Sequence, residues 1–91
     1  MSSKNIYKIL LTKKVDKQIS KLASRDIKST LNKIAKLNYP FPANLDIKAL
    51  VGVKGFYRLR TGKVRVIFEV DQQKREIWIR KVDYRSRIYR F

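Results

Sequence analysis

The chain has 91 residues, with 23 Lys or Arg against 7 Asp or Glu and a formal net charge of +16. Its 44% hydrophobic content indicates one soluble globular domain over residues 1–91, and its charge indicates a polyanionic or strongly acidic partner. The absence of both His and Cys excludes zinc sites and catalysis by either residue. No apolar run approaches the ~20 residues of a membrane-spanning helix, so we expect a cytoplasmic protein without a membrane partner.

The N-terminal half predicts a strand followed by two amphipathic helices. Residues 6–11 form a short apolar run that is typical of a strand, and Thr12 is a suitable N-cap for the helix that follows. Apolar residues then recur at helical spacing in two segments, first at Val15, Ile19 and Leu22 and then at Ile27, Leu31, Ile34 and Leu37. Ser24 is the predicted cap of the second helix, and residues 39–54 are predicted to be irregular.

Two runs of alternating residues predict a β-hairpin over residues 55–70, with Thr61 and Gly62 as its two-residue loop. The cross-strand pairs that follow from this loop include Arg60 with Lys63 and Arg58 with Arg65. These basic residues share one face because side chains alternate along a strand, and the other face is apolar and forms part of the core. Like charges that oppose each other destabilise a sheet. The basic face is therefore either a solvated surface of long side chains or an anion site.

The C-terminal third continues with a polar turn at residues 71–74 and a further strand over residues 76–82. Apolar residues fall on both faces of this strand, so alternation leaves the direction of Trp78 and Arg80 open. Nine arginines occur, and all but Arg25 lie from Arg58 onward. Because the planar guanidinium suits bidentate phosphate contact, we predict that the C-terminal half is the binding half.

The order of the elements, together with residues 47–52, 57–70 and 82–90, resembles the RelE/ParE superfamily of toxins from type II toxin–antitoxin modules. The resemblance covers nearly the whole chain, and it is most specific in the hairpin and in the final segment. It implies an α+β fold with the order β-α-α-β-β-β and an antiparallel sheet of about four strands. It also implies an N-terminal helix hairpin on one face of the sheet and a concave basic surface on the other.

RelE-type members of this superfamily are mRNA interferases, ribosome-dependent endoribonucleases that cut mRNA in the ribosomal A site. The resemblance implies that Arg65, Arg85 and Tyr89 are catalytic, with Arg65 and Arg85 holding the scissile phosphate. Tyr89 would stack on a base or exchange a proton, although the ordinary pKa of tyrosine, ~10, argues against an unaided base role. The other RNA-binding residues that it implies are Lys54, Arg58, Arg60, Lys63, Tyr84 and Arg87.

The chain departs from the family pattern at two places. Some active members carry lysine at the positions of Arg58 and Arg60, and some carry histidine at the position of Tyr84. Arginine is a poor general base because it stays protonated, so we expect Arg58 and Arg60 to bind phosphate. Proton transfer is left open among the ribosomal RNA and a set of side chains, namely Tyr89, Tyr84, Lys54, Lys63, Lys81 and Glu69.

The implied partners are mRNA on the ribosome, with its 16S-type rRNA, and a small acidic RelB-like antitoxin. The toxin–antitoxin complex is expected to be of higher order, such as a heterotetramer. We expect no cofactor and a metal-independent reaction, because the seven acidic residues are scattered along the chain. Two alternatives stay open: a ParE-like toxin that inhibits DNA gyrase without nuclease activity, and a degenerate module that binds rRNA or a partner without chemistry. The joint presence of Arg65, Arg85 and Tyr89 favours the nuclease.

Overall fold

The computed structural model describes residues 6–88 as two helices and one five-stranded sheet. In chain order the elements are β1 (Lys8–Leu11), α1 (Lys13–Ser20), α2 (Ser24–Ala35), β2 (Asp46–Ala49), β3 (Phe56–Thr61), β4 (Val64–Asp71) and β5 (Glu76–Tyr84). The strands lie in the order β1-β5-β4-β3-β2. β1 runs parallel to β5, and all other neighbours are antiparallel. The predicted α+β class is confirmed, but the sheet is mixed and has one strand more than expected.

Both helices form where the apolar spacing predicts them, and one of the predicted caps is wrong. Thr12 caps α1, because its Oγ1 accepts a hydrogen bond from the amide N–H of Val15 at 3.1 Å. The N-cap of α2 is Ala23 and not Ser24. Ala23 has no side chain that could cap the helix, and its amide N–H instead donates to the hydroxyl oxygen of Tyr84 at 2.9 Å. This cap comes from a distant strand, so local sequence could not reveal it.

The buried stripe of α2 is rotated relative to the prediction. Leu31 is 42% exposed, whereas Thr30 and Ile34 are buried and Ile27 is partly buried. Thr30 lies three residues after Ile27 and four before Ile34, so it falls on the same helical stripe. Its polar type concealed this position in the sequence.

Residues 39–54, which were predicted to be irregular, contain the edge strand β2. β2 pairs with β3, so that Ile47 lies opposite Leu59 and Lys48 opposite Arg58. Ile47 packs against the core, and alternation turns Lys48 to the other face. Four residues with one clear apolar position give too short a pattern to indicate a strand.

The β3–β4 turn consists of Gly62 and Lys63, so the predicted loop is displaced by one residue. Thr61 pairs with Val64, Arg60 with Arg65, and Arg58 with Ile67. Gly62 has a φ of 61°, a left-handed conformation that glycine adopts without strain. The cross-strand register therefore differs from the prediction by two residues. A change of two keeps every side chain on its predicted face.

The core lies between the sheet and the two helices. Its fully buried side chains include Val15 of α1 and a set from the three long strands, namely Leu59, Val64, Val66, Phe68, Ile77 and Ile79. Each such burial contributes roughly 1.5–3 kcal/mol. The other side of the sheet, which we call the open face, carries the charged positions of β2 to β5. The helices thus leave the basic side chains of β3 and β4 on the side of the sheet away from the core.

Candidate functional site

Four residues from four strands form a row across the open face, which we call the first row. In the order β5, β4, β3 and β2 they are Asp83, Arg65, Arg60 and Asp46. Arg60 and Arg65 oppose each other at the centre, an arrangement that destabilises a sheet unless an anion lies nearby. Asp46 lies 3.6 Å from Nε of Arg60 and 3.5 Å from Nη2 of Arg58. These ion pairs are long and solvent-exposed at Asp46, so they contribute little, whereas Asp83 lies directly opposite Arg65 and offsets part of the repulsion.

Arg65 is held in place by the hairpin turn. The residue is only 7% exposed, and its Nη1 donates to the carbonyl oxygens of Gly62 at 2.8 Å and Val64 at 3.0 Å. Both acceptors belong to or adjoin the turn. The guanidinium of Arg65 is therefore orientated by its own hairpin before any ligand arrives.

Arg85 is joined to the same turn from the other side. Its amide N–H donates to the carbonyl oxygen of Lys63 at 2.8 Å, which extends the β4–β5 ladder beyond Tyr84. The side chains of Arg85 and Lys63 are exposed, and neither forms an ion pair or side-chain hydrogen bond within residues 6–88. The end of the sheet at this turn thus gathers four cations, Arg60, Lys63, Arg65 and Arg85. We call this group the cationic end.

Two of the predicted RNA-binding residues, Tyr84 and Arg87, are not brought to the cationic end. Tyr84 lies opposite Val64 and packs against the helix-covered core, and its hydroxyl donates to Oδ2 of Asp26 at 2.9 Å. Nη2 of Arg87 lies 3.2 Å from Oδ1 of Asp83, and its guanidinium carbon lies 5.6 Å from the centre of the Tyr84 ring. Both side chains hold the segment after β5 against the fold.

The other predicted residues are spread along the sheet or fall outside the described part of it. Lys54 lies in the β2–β3 loop, at the end of β3 opposite to Lys63 and roughly 20 Å from it by strand length. Arg58 lies on the open face, two residues from Arg60. Tyr89 lies outside the described residues, so its position relative to Arg65 and Arg85 stays a prediction.

A second row crosses the open face next to the first, and one of its residues was missed by the sequence analysis. In the order β5, β4, β3 and β2 it contains Lys81, Ile67, Arg58 and Lys48. Lys48 was missed because β2 was not predicted. The alternation of Asp46, Ile47 and Lys48 was the available signal, and it becomes informative only once the strand is known.

At the other end of the open face, Trp78 and Arg80 form a separate paired cluster. Arg80 shares a face with Trp78 by simple alternation, and it is the extra residue at a β-bulge. The bulge shifts the alternation by one residue, so that Lys81 also lies on the open face and Val82 returns to the core. Its Nη2 donates to Oε1 of Glu69 at 2.8 Å, and its guanidinium carbon lies 4.9 Å from the centre of the Trp78 ring. This cluster answers the question of direction that the sequence left open. It also engages the Glu69 carboxylate, away from the cationic end.

The described residues provide candidates for proton transfer at this site but no preformed metal site. Within residues 6–88, no three acidic side chains lie close enough together to hold a metal ion. The same part of the chain has no helix that is both long and apolar enough to cross a membrane. Among the proton-transfer candidates, Lys63 belongs to the cationic end and Lys81 to the second row.

Comparisons with known proteins identify the family of the chain. Residues 9–89 match the family model described as the ParE toxin of the type II toxin–antitoxin system parDE. The chain belongs to the RelE/ParE superfamily of type II toxins. This toxin is similar to a chain of the archaeal RelE–RelB complex from Pyrococcus horikoshii OT3, at 30% identity over 89% of this chain and 97% of that one, with a TM-score of 0.74.

Two further solved structures share the fold of this RelE/ParE toxin. A chain of the RelB–RelE antitoxin–toxin complex from Methanococcus jannaschii is 25% identical over 85% of this chain and 91% of its own, with a TM-score of 0.71. A mutant of the E. coli toxin RelE in the free state is 22% identical over 87% of this chain and 83% of its own, with a TM-score of 0.68. A comparison of the sequence with curated proteins finds no match.

Proposed function

We propose that this toxin is a ribosome-dependent endoribonuclease, an mRNA interferase that cuts mRNA in the ribosomal A site and so inhibits translation. The observation that carries the proposal is the cationic end, where two strands and the segment after β5 bring Arg60, Lys63, Arg65 and Arg85 to one turn. Arginine forks and a lysine ammonium suit the non-bridging oxygens of a phosphodiester. Four cations at the cationic end are expected for a site that binds one phosphate. A solvated surface would instead have its charges spread over the whole face.

In the proposed reaction, the 2′-hydroxyl oxygen of a nucleotide attacks the adjacent phosphorus. The bond from phosphorus to the 5′ oxygen of the next nucleotide breaks, which leaves a 2′,3′-cyclic phosphate and a 5′-hydroxyl. Negative charge grows on the non-bridging oxygens, and Arg65 and Arg85 stabilise it at ~3 kcal/mol per donor. Arg65 is suited to this role because its two carbonyl bonds already fix its guanidinium.

Two proton transfers accompany these bond changes. The leaving 5′ oxygen takes up a proton, and we assign its donation to Lys63, whose backbone carbonyl oxygen accepts the amide N–H of Arg85 in the turn. The attacking 2′-hydroxyl gives up a proton, for which Tyr89, Lys81 and the ribosomal RNA are the candidates. Tyr84 and Glu69 are less suitable acceptors, because one faces the helices and the other pairs with Arg80.

The proposed partner in the resting cell is a small acidic RelB-like antitoxin that covers the open face, in a higher-order complex such as a heterotetramer. The net charge of +16 favours an acidic partner. The similar toxins from Pyrococcus horikoshii and Methanococcus jannaschii were solved in complex with RelB. The setting we propose for both partners is the cytoplasm.

The second candidate function is inhibition of DNA gyrase without cleavage of RNA. It is favoured by the family model, which is that of the ParE toxins. A gyrase inhibitor would need the fold and its charged surface but no set of groups placed around one phosphate. The convergence of Arg60, Arg65, Lys63 and Arg85 supports the nuclease over this candidate.

One pair of assays separates the two functions. The 5′ ends of a defined mRNA are mapped by primer extension after incubation with the toxin, with and without translating ribosomes, and gyrase supercoiling is measured in parallel. We expect new 5′ ends on translated message alone and unchanged supercoiling. Intact message together with inhibited gyrase would reject the nuclease in favour of the second candidate.

A further inference from the structure

The second row of the open face carries a pair of like charges that the described chain compensates poorly. Lys48 of β2 directly opposes Arg58 of β3, an arrangement that weakens strand pairing. Lys48 is exposed and makes no ion pair within residues 6–88. The nearest acid to Arg58 is Asp46 at 3.5 Å, and that carboxylate also contacts Arg60. An anion from outside would relieve the repulsion.

Arg58 also has a hydrogen-bond donor without an acceptor. Its side chain is 18% exposed, and its Nε atom is buried with no hydrogen-bond partner within residues 6–88. A buried donor without an acceptor is destabilising, and native proteins rarely keep one without a reason. Because this atom is closed to solvent, a ligand oxygen satisfies it when the Arg58 side chain turns its Nε towards the cavity.

Space for such a ligand exists beside these two residues. An open cavity of ≈ 160 Å³ is lined by Lys48, Ala49, Leu50, Val51 and Arg58. Val51 is 96% exposed, so it leaves the cavity accessible while adding an aliphatic wall. The cavity therefore combines two cations with apolar surface.

We propose that this cavity binds a phosphate of the RNA strand that flanks the cleaved one. The inference rests on the proposed function and extends its site along the strand. Lys48 lies two residues along the strands and two strands across from Arg65, about 7 Å and about 10 Å, so the two are roughly 12 Å apart on the sheet, which about two nucleotides of an extended single strand span. The guanidinium of Arg58 and the ammonium of Lys48 donate to the phosphate oxygens, and the sugar packs against Val51. RNA is favoured over an acidic peptide because the cavity continues the line of cations on the same face.

The test measures binding of a fluorescent single-stranded 2′-O-methyl RNA hexamer, which lacks the attacking hydroxyl, by anisotropy between about 50 and 200 mM salt. For Lys48→Ala we expect about fivefold weaker binding at low salt and a fall of about 0.7 in the slope of log affinity against log salt, the value of one phosphate contact on a single strand. Lys28→Ala, which removes the same charge from the exposed side of α2, should match wild type. Equal effects of the two variants would overturn the inference.

A second pair of variants locates the site. Val51→Asp places an acid in the wall of the cavity, whereas Val53→Asp places one in the same loop outside that wall. We expect the first to weaken RNA binding several-fold more than the second. A hexaglutamate peptide serves as the alternative ligand, and effects of Lys48→Ala on this peptide alone would assign the cavity to a protein and reject the RNA site. Failure of the nuclease would show separately as absent cuts by wild type, since these affinities involve no reaction.

Discussion

The hydroxyl of Tyr84 donates a hydrogen bond to the carboxylate of Asp26 at 2.9 Å, across 58 residues of sequence. The same oxygen accepts a bond from the amide N–H of Ala23 at 2.9 Å, so the last strand is tied to the start of α2. The next residue, Arg85, is bonded through its backbone to Lys63 in the hairpin turn. Two neighbouring residues therefore have different roles: Tyr84 connects the end of β5 to α2, and Arg85 belongs to the cationic end.

This arrangement predicts that Tyr84→Phe lowers the free energy of unfolding and leaves the affinity for RNA nearly unchanged. The variant loses both hydrogen bonds of the hydroxyl and leaves the N-cap of α2 without a partner, so we expect a loss of ~1–2 kcal/mol in the free energy of unfolding. Urea denaturation followed by circular dichroism measures it. Tyr39→Phe is the control, because that hydroxyl has no hydrogen bond within residues 6–88. Unchanged stability with weakened RNA binding would return Tyr84 to the RNA site.

Arg85→Ala should abolish most of the cleavage and leave the fold intact. Its side chain is exposed and makes no contact that the fold needs, whereas in the proposed reaction it stabilises the phosphate. We expect about a hundredfold slower cleavage of ribosome-bound mRNA, with an unchanged melting temperature and retained antitoxin binding. Arg25→Ala on α2 removes the same charge from the helical side and should cut at the wild-type rate. A fully toxic Arg85→Ala variant would remove this residue from the site.

Arg65→Lys should lower both activity and stability, because lysine keeps the charge but loses the planar fork. The guanidinium bonds to the Gly62 and Val64 carbonyl oxygens would be replaced by a more flexible ammonium, at a cost of ~1 kcal/mol in the free energy of unfolding. Arg60→Lys, the same change directly across the hairpin at an exposed position, should cost less than ~0.5 kcal/mol. Thermal denaturation and cleavage rates of the two variants give the comparison. Equal stability losses would contradict the role of Arg65 in holding the turn.

Asp46→Asn should tighten RNA binding. The Asp46 carboxylate contacts Arg58 and Arg60 and competes with a phosphate for them, so its neutralisation makes both arginines available. We expect about two- to threefold higher affinity for single-stranded RNA at low salt, and less difference as salt rises. Asp16→Asn, the same charge change on α1, controls for net charge. Weaker binding by Asp46→Asn would show that this acid orientates the arginines and does not compete for them.

Local sequence patterns predicted most of the fold. The apolar spacing in residues 13–35 predicted both helices, because each buries one stripe on the sheet. Alternation in the hairpin assigned Arg58, Arg60 and Arg65 to one face. This assignment was correct although the predicted loop was displaced by one residue, because a register change of two residues leaves each side chain on the same face. The edge strand β2 was missed because its four residues show too little alternation, and the Lys48 position was missed with it.

The candidate site was less predictable than the fold, because it depends on contacts between distant segments. Tyr84 and Arg85 are adjacent in the sequence, and the family resemblance implied that both belong to the RNA site. The pairing of Tyr84 with the buried Val64 and its hydrogen bonds to α2 showed that it faces the helices. The bulge at Arg80 likewise shifts the alternation of β5, so that Ile77, Ile79 and Val82 all reach the core, and regular alternation could not show this.

By itself, the sequence determined the α+β class, the two amphipathic helices, the basic face of the hairpin and the membership of the toxin superfamily. These depend on periodicity, charge and motifs that neighbouring residues carry. The tertiary structure decided which cations meet at one turn, which aromatic residue is an anchor, and that Lys48 opposes Arg58 beside a cavity. Those relationships require strand pairing across the sheet, and strand pairing depends on the packing of the whole chain.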